Sequence, residues 1–320
     1  MKAIRVHQFG GPEELKLEEV PDLKPAAGQI LVALHAAGVN PVETYIRSGS
    51  YAALPDLPYT PGGEGAGVIA ALGEGVQGHH VGDRVYLAGS LTGTYAEAAL
   101  CSSDQAHFLP SRVSFLKGAA VGVAATTAYR ALFQRGGGQK GETVLVHGAS
   151  GGVGTAAVQL AKGAGLRVFG TAGSEAGRAV VRKAGADEVF DHSDPNHFQA
   201  IDEATKGHGV DLILEMLANV NLDGDLRLVA KFGRIVVVGN RGRIEINPRD
   251  AMLREADIRG MLTGHASEAD RIAIHQGLGQ ALEKGQLDPL MGGEFPLAQA
   301  AAAHEAVMAP ASMGKIVLTT

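Results

Sequence analysis

The apolar positions follow two rhythms along the chain, and the change comes near residue 120. Before it, short apolar runs recur at 1–6, 29–35, 67–72 and 83–87. Gly and Pro separate them at 10–12, 21, 25, 28, 61–63 and 73–75. Short strands with frequent turn signals predict a barrel or a sandwich. After residue 120, strands and helices alternate. Runs at 143–147, 167–171, 188–191, 211–215 and 234–239 predict strands, with helices at 154–162 and 175–185. This alternation marks βαβ units and a parallel sheet. The last two runs are nearly all apolar, as strands covered on both faces require. Helices at 268–284 and 298–308 then precede a terminal strand, 315–319. A terminal strand needs a partner, and the β-rich first part offers one. The reading is therefore α/β with a discontinuous first domain, 1–122 completed by 264–320, around a second domain at 123–263.

Composition narrows the class. Of 320 residues 45% are hydrophobic and 19% charged, which excludes a disordered chain. The 45 glycines show no three-residue period, which excludes collagen. The lone Cys101 excludes an intramolecular disulfide and a multi-cysteine zinc lobe. A net charge of −6 and a pI near 6.1 argue against a broad nucleic-acid footprint. No apolar run reaches the length of a membrane span, and the first residues lack the features of a signal peptide. The expected compartment is the cytoplasm.

The sharpest local signal is the glycine-rich stretch 147–154, which follows a predicted strand and opens a predicted helix. Laid on G-x-G-x-x-G it places Ala149, Gly151 and Gly154 at the three glycine positions. Gly151 lets backbone approach a pyrophosphate, and Gly154 lets the helix pack close to the sheet. The phosphate then meets the helix N-terminus, whose open N–H groups favour an anion. An NAD site places an acid about 20 residues further on, against the ribose hydroxyls. The corresponding window ends at Ser174 and holds no acid, while Arg178, Arg182 and His192 lie nearby. A 2′-phosphate wants cationic or donor groups. The expected cofactor is NADP(H), with Ser174, Arg178 and His192 among its contacts.

The stretches 38–49, 58–62, 144–154, 215–222 and 242–250 together resemble the zinc-independent quinone oxidoreductases of the medium-chain dehydrogenase/reductase superfamily. The resemblance covers essentially the whole chain. It implies a GroES-like β-barrel catalytic domain and a Rossmann doubly wound parallel-sheet cofactor domain. It implies NADPH contacts from Ser150, Gly151, Gly152 and Val153, with Gly173 and His192 near the 2′-phosphate. It also implies Tyr45, Asn221, the run Val238, Gly239, Asn240 and Arg241, and the run Met261, Leu262 and Thr263. Residues 262–265 depart from the family pattern. Asn221 fits equally the N-cap of a helix starting near Leu222.

Zinc-dependent members of the superfamily hold their metal on Cys and His ligands. Here the first Cys position reads Asn40, and the Gly-His-Glu motif reads Gly62, Gly63 and Glu64. No metal is expected. The adjacent His79 and His80 sit in a glycine-flanked turn and read as a solvated loop. The remaining chemistry is hydride transfer, for which the protein supplies position and electrostatics. Asn40, Tyr45 and Tyr51 are the candidate catalytic residues lining the pocket. Asn40 offers an amide donor to a substrate oxygen or to the carboxamide. Tyr45 offers a hydroxyl donor, and Tyr51 an aromatic face for a flat substrate. The proton comes from solvent. Quinone reduction has one enzymatic alternative, reduction of the double bond of an enal or enone. A third reading is RNA binding, since family relatives bind RNA and Arg227, Lys231, Arg234, Arg241 and Arg243 cluster modestly. The 5% aromatic content lends it little support. The resemblance further implies a homodimer, or a homotetramer, built on the strands near 234–239 and 258–262.

Overall fold

A computed structural model describes residues 1–309 and 313–320, in two units: Met1–Ala124 with Pro289–Thr320, and Ala125–Asp288. In the first unit, β1 (Lys2–Arg5) and β2 (Lys16–Glu19) form an antiparallel pair. Strands β3 (Gln29–Val39), β4 (Glu64–Leu72), β5 (Arg84–Ala88), β6 (Ala98–Ser102) and β7 (Ala106–Phe108) follow. They make a curved antiparallel sheet in which β3 pairs with both β4 and β6. The first half of β3 alternates as a half-buried strand must. Ile30, Val32 and Leu34 turn inward against Ile69, Val85 and Leu87, and the cysteine Cys101 lies in this core. Burial pushes the Cys101 thiol up to about 12, so it is an inert core side chain. Helix α1 (Pro41–Arg47) leaves the end of β3, and its start is set by Asn40 and Pro41. A short helix, α2 (Phe115–Gly118), and a helical run from Val121 to Arg135, α-helical at α3 (Thr126–Tyr129), lead into the second unit.

The second unit is built on six parallel strands. They are β8 (Thr143–Val146), β9 (Arg167–Thr171), β10 (Glu188–Phe190), β11 (Val210–Glu215), β12 (Val229–Val237) and β13 (Asp257–Gly260). Their spatial order is β10-β9-β8-β11-β12-β13. The chain runs outward from β8 through β9 to β10, then returns to β11 and runs the other way. This is a doubly wound sheet whose switch point lies between β8 and β11. Helices α4 (Gly152–Gly163), α5 (Glu175–Ala184), α6 (His197–Ala204), α7 (Ala218–Leu228), α8 (Pro248–Arg254) and α9 (Glu268–Glu283) complete it. Leu145, Phe169, Ile213 and Ile235 from four neighbouring strands pack with Ile201 and Leu226 from the helices.

Three boundaries differ from the sequence reading. Strand β12 starts at Val229, not 234, because Val229 pairs with Val210; the register against β11 then shifts before Arg234, where Phe232 takes a left-handed conformation (φ 64°). Helix α7 starts at Ala218 with Leu217 at its N-cap, so Asn221 lies in its first turn and is no cap. Residues 264–288 belong to the second unit, not the first. The reason is the packing of α9. Gly277 lies so close to Tyr129 that a Cβ would fall 2.4 Å from its ring. The Gln134 amide donates to Asp270 O at 2.9 Å, and Arg130 pairs with Asp270 at 3.4 Å.

The chain then returns to the first unit. Strands β14 (Met291–Pro296) and β15 (Lys315–Thr319) flank helix α10 (Ala300–Met308). Strand β15 pairs antiparallel with β3, Ile316 opposite Val39 and Leu318 opposite Ala37. Overpacking a close helix contact costs about 1–3 kcal/mol. Gly277→Val is therefore expected to lower stability by about that amount in urea denaturation. An unchanged midpoint would contradict the assignment of α9.

Candidate functional site

The first unit holds a buried polar network around the turn from β3 into α1. Glu64, the first residue of β4, is fully buried. It accepts from the Lys315 ammonium, from the Asn40 amide at 2.8 Å and from the Val123 N–H at 2.7 Å. Lys315 also donates to Asn40 Oδ1 at 2.5 Å. Glu43, on α1, accepts from the Asn40 N–H at 2.5 Å and from the Tyr95 hydroxyl at 3.1 Å. Burial pushes its carboxyl up to about 7, against the opposing pull of Lys315. Behind it, Arg47 Nη1 lies 3.3 Å from His304 Nδ1, and His304 Nε2 lies 3.0 Å from the Tyr95 oxygen. An arginine only donates, which makes Nδ1 the acceptor and places the His304 proton on Nε2. Burial holds His304 down at about 3, so the ring is neutral.

The network changes the part Asn40 plays. The sequence reading offers its amide to a substrate oxygen or to the carboxamide. In the structure both ends of that amide are engaged, one by Lys315 and the other by Glu64 and Glu43. Asn40 therefore holds the network together. A cavity of about 1070 Å³ opens beside it, walled by Val42, Glu43, Ile46, Tyr59, Gly63 and Leu91. Tyr45 and Tyr51 are half-buried and are not among the residues that line this cavity; Tyr59 is.

In the second unit, the expected cofactor residues all lie in loops or helix starts beyond the carboxyl ends of parallel strands. Ser150, Gly151, Gly152 and Val153 follow β8, Gly173 and Ser174 follow β9, and His192 follows β10. Asn221 follows β11, Val238 to Arg241 follow β12, and Met261 to Thr263 follow β13. Open α/β sheets bind ligands at this edge. The turn after β8 is shaped for a close approach. Gly148 has φ +55°, which favours glycine, and a Cβ on Gly154 would lie 2.6 Å from Ala149 Cα. A Cβ on Gly151 would meet, among the described residues, one atom beyond its chain neighbours within 4 Å, the Gly148 carbonyl oxygen at 3.7 Å, so its face is open. It forms the N-cap of α4 with no side-chain cap and no acid in the first turn, leaving N–H groups for an anion.

Around the expected 2′-phosphate position, Ser174 caps α5 by accepting from Gly177 N at 3.1 Å. Arg178 differs from the sequence reading of a free cation. Glu175 binds it at 2.9 Å and Asp191 at 2.5 Å, and Glu175 also holds Arg182. Two carboxylates thus neutralise the guanidinium in this structure. His192 stays uncharged near pH 7, because burial and the neighbouring His147 lower its basicity. Val238 and Gly239 both donate to the Glu215 carbonyl, and Asn221 donates to the Glu215 carboxylate at 3.2 Å. The basic cluster considered for RNA is partly used up internally. Arg234 is bound by Glu142 and by the carbonyls of Gly136, Gly137 and Asp211, and Arg227 is paired with Asp223.

The sequence reading missed Lys315, Glu43, Tyr95, His304 and Arg47, and in the second unit His147, Glu215 and Asp225. One signal was available. Lys315 and Glu215 are charged residues next to the apolar runs Ile316–Leu318 and Leu212–Leu214, and such residues are rarely buried unless paired.

Two domain models match the chain: "Alcohol dehydrogenase GroES-like domain" over residues 26–132 and "Zinc-binding dehydrogenase" over 152–276. The quinone oxidoreductase of Rattus norvegicus is 49% identical over 321 residues, 99% of this chain and 97% of its own. That of Homo sapiens is 46% identical over 320 residues, again 99% and 97%. Among solved structures, Escherichia coli quinone oxidoreductase complexed with NADPH superposes with a TM-score of 0.90, at 29% identity and over all of both chains. An NAD-dependent alcohol dehydrogenase superposes with a TM-score of 0.93, at 28% identity and over all of both chains.

Removing one partner of a buried ion pair costs about 3–5 kcal/mol, because the other charge is left unanswered. Lys315→Met is expected to lose about that much stability in urea, with much of it regained in the double variant Lys315→Met/Glu64→Gln. A loss below about 1 kcal/mol, the range of an exposed pair, would contradict the network.

Proposed function

The chain belongs to the zeta-crystallin-like quinone oxidoreductases of the medium-chain dehydrogenase/reductase superfamily, and from that premise we propose that it reduces quinones with NADPH by hydride transfer and without a metal. The observation that carries the reading is the bare turn at 148–154 on the uncapped start of α4. Bound NADPH supplies the hydride. Backbone N–H groups of Gly152 and Val153 hold the pyrophosphate. Gly173, Ser174 and His192 meet the 2′-phosphate as hydrogen-bond partners. Arg178 contributes there to the extent that Glu175 and Asp191 yield it.

In the first unit, Lys315 fixes Asn40 and Glu64 and thereby fixes the backbone at Gly63 and the start of α1. The cavity walls Val42, Ile46 and Leu91 supply an apolar seat for a flat ring and exclude water from it. Tyr45 and Tyr51 lie outside this lining, so a role for the Tyr45 hydroxyl as donor to the developing oxyanion, and for Tyr51 as a face for the ring, requires a substrate that extends beyond it. The proton that completes the reduction comes from solvent. Metal independence rests on Asn40 and Gly63, since a carboxamide and a glycine replace a thiolate and an imidazole, and only the latter pair binds zinc well. The chain works as a homodimer, or as a dimer of dimers, joined at β13. This is the outer strand of the parallel sheet, and it presents the exposed Ile258.

Steady-state rates test this reading. We expect NADPH to exceed NADH at least about tenfold in kcat/KM, the gain of roughly one charge-assisted contact to the 2′-phosphate. We expect 1,2-naphthoquinone to exceed a 2-alkenal, and activity to survive dialysis against EDTA. Faster turnover of the alkenal would favour enone reduction, and activity restored only by zinc would end the metal-free reading. Tyr45→Phe should lower kcat while NADPH binding is kept; full turnover would leave Tyr45 a packing role only.

A further inference from the structure

Three buried ionisable side chains lie beneath the carboxyl-end loops of the second unit, and the mechanism above uses none of them. They are His147 just after β8, Glu215 at the end of β11 and Asp225 within α7. None is more than 2% exposed. His147 Nε2 lies 2.8 Å from Asp225 Oδ1 and 3.6 Å from Glu215 Oε2. Glu215 Oε1 accepts from the Leu217 N–H and from the Asn221 amide. The second oxygen of each acid, Glu215 Oε2 and Asp225 Oδ2, is buried with no hydrogen-bond partner among the described residues.

Two bare carboxylate oxygens in a dry site demand a proton or a cation between them. The groups facing the pair supply no permanent cation. His147 comes from β8, and α6 brings the apolar Phe198 and, further out, His197. The loop after β10 brings Asp191 and His192, with Arg178 of α5 already held by Asp191. Burial pushes Glu215 and Asp225 both up to about 7, and it pushes His147 down. The 2.8 Å contact is that of a hydrogen bond from a neutral ring, Nε2–H to Asp225. His147 Nδ1 is then an acceptor, 3.5 Å from the Thr171 hydroxyl. That hydroxyl accepts from Gly148 N–H at 3.2 Å and lies 3.3 Å from His192 Nδ1. The cluster therefore reaches the expected cofactor contacts along two routes, through Glu215 to Asn221 and through His147 and Thr171 to Gly148 and His192.

We propose that His147, Glu215 and Asp225 are positioning residues for the cofactor, in which the two acids share a single proton that holds Asn221, Gly148 and His192 in their binding geometry. This rests on the reading that the carboxyl-end loops bind NADPH. When the proton leaves, two like charges stand side by side without a counter-ion, and the residues they anchor shift.

The test is the NADPH dissociation constant of the full-length protein, measured by fluorescence titration from pH 6.5 to 8.5, for the wild type and for Glu215→Gln. The glutamine keeps a carbonyl oxygen for Leu217 and Asn221 and presents an amide donor toward Asp225, so it mimics the protonated acid at every pH. Wild-type affinity is expected to fall about tenfold over this range, since one coupled proton changes binding by up to tenfold per pH unit above its pKa. Glu215→Gln should bind within about twofold of the wild type at pH 6.5, where a difference under 0.5 kcal/mol is neutral, and should lose much less by pH 8.5. Titrations of the 2′-phosphate and of His192 occur in both proteins and cancel in the ratio. Glu215→Ala, checked for folding by circular dichroism, should bind weakly throughout. Identical pH slopes for the wild type and Glu215→Gln would overturn the proposal. So would one equivalent of bound metal whose removal weakens NADPH, because a cation would then stand where the proton is placed. A wild type that binds no NADPH at any pH would overturn the cofactor reading itself.

Discussion

A carboxylate buried at the start of a strand must be met by a positive charge, and in the first unit the last strand of the chain brings it. Glu64 opens β4, Lys315 opens β15, and the two meet with Asn40 where β3 turns into α1. The contact spans 251 residues of sequence. Neither charge is tolerable alone, since a single unanswered buried charge costs a large part of the 5–15 kcal/mol that holds a typical domain together. The first unit is thus complete only when its two chain segments have come together. The same contact sets the turn that carries Asn40, Glu43 and Gly63, so closure of the unit and construction of its polar site are one event.

The second unit meets the same constraint in another way. Its inner strands are covered on both faces, and the polar groups gather at their carboxyl ends, where the chain turns. Backbone N–H groups at the uncapped start of α4 stay open because glycine removes the side chains that would cover them. Beneath them His147, Glu215 and Asp225 are buried, with no lysine or arginine among the described residues paired to them. One unit answers its buried acids with an ammonium group, the other with an imidazole.

Much of the fold is legible in the sequence because periodicity and turn chemistry are local. The parallel strands β8, β9, β10 and β11 fall within a residue or so of their expected ends, and 148–154 occupies the strand-to-helix turn its glycines predict. The departures have non-local causes. Pairing of Val229 with Val210 starts β12 earlier, with the irregularity at the left-handed Phe232 between it and Arg234, and the contact of Gly277 with Tyr129 draws α9 into the second unit. The site shows the same division. Gly151 and Gly154 announce themselves by spacing. Asn40 draws notice by standing where a metal ligand is expected, but its engagement by Lys315 depends on a residue 275 positions away. Arg178 looks like a free cation until α5 and the loop after β10 place Glu175 and Asp191 around it. Residue type predicts what a group is able to do; its partners decide whether it remains free to do it.

The central claim is that this chain positions NADPH for direct transfer of a hydride to a quinone. Single-turnover stopped-flow oxidation of NADPH, deuterated in turn on each face of C4, tests it most directly when paired with spin resonance. Direct transfer predicts that deuterium on one face alone slows cofactor oxidation severalfold, while no enzyme-generated semiquinone accumulates. Equal rates for both isotopologues, with semiquinone formed in proportion to the NADPH consumed, would contradict it.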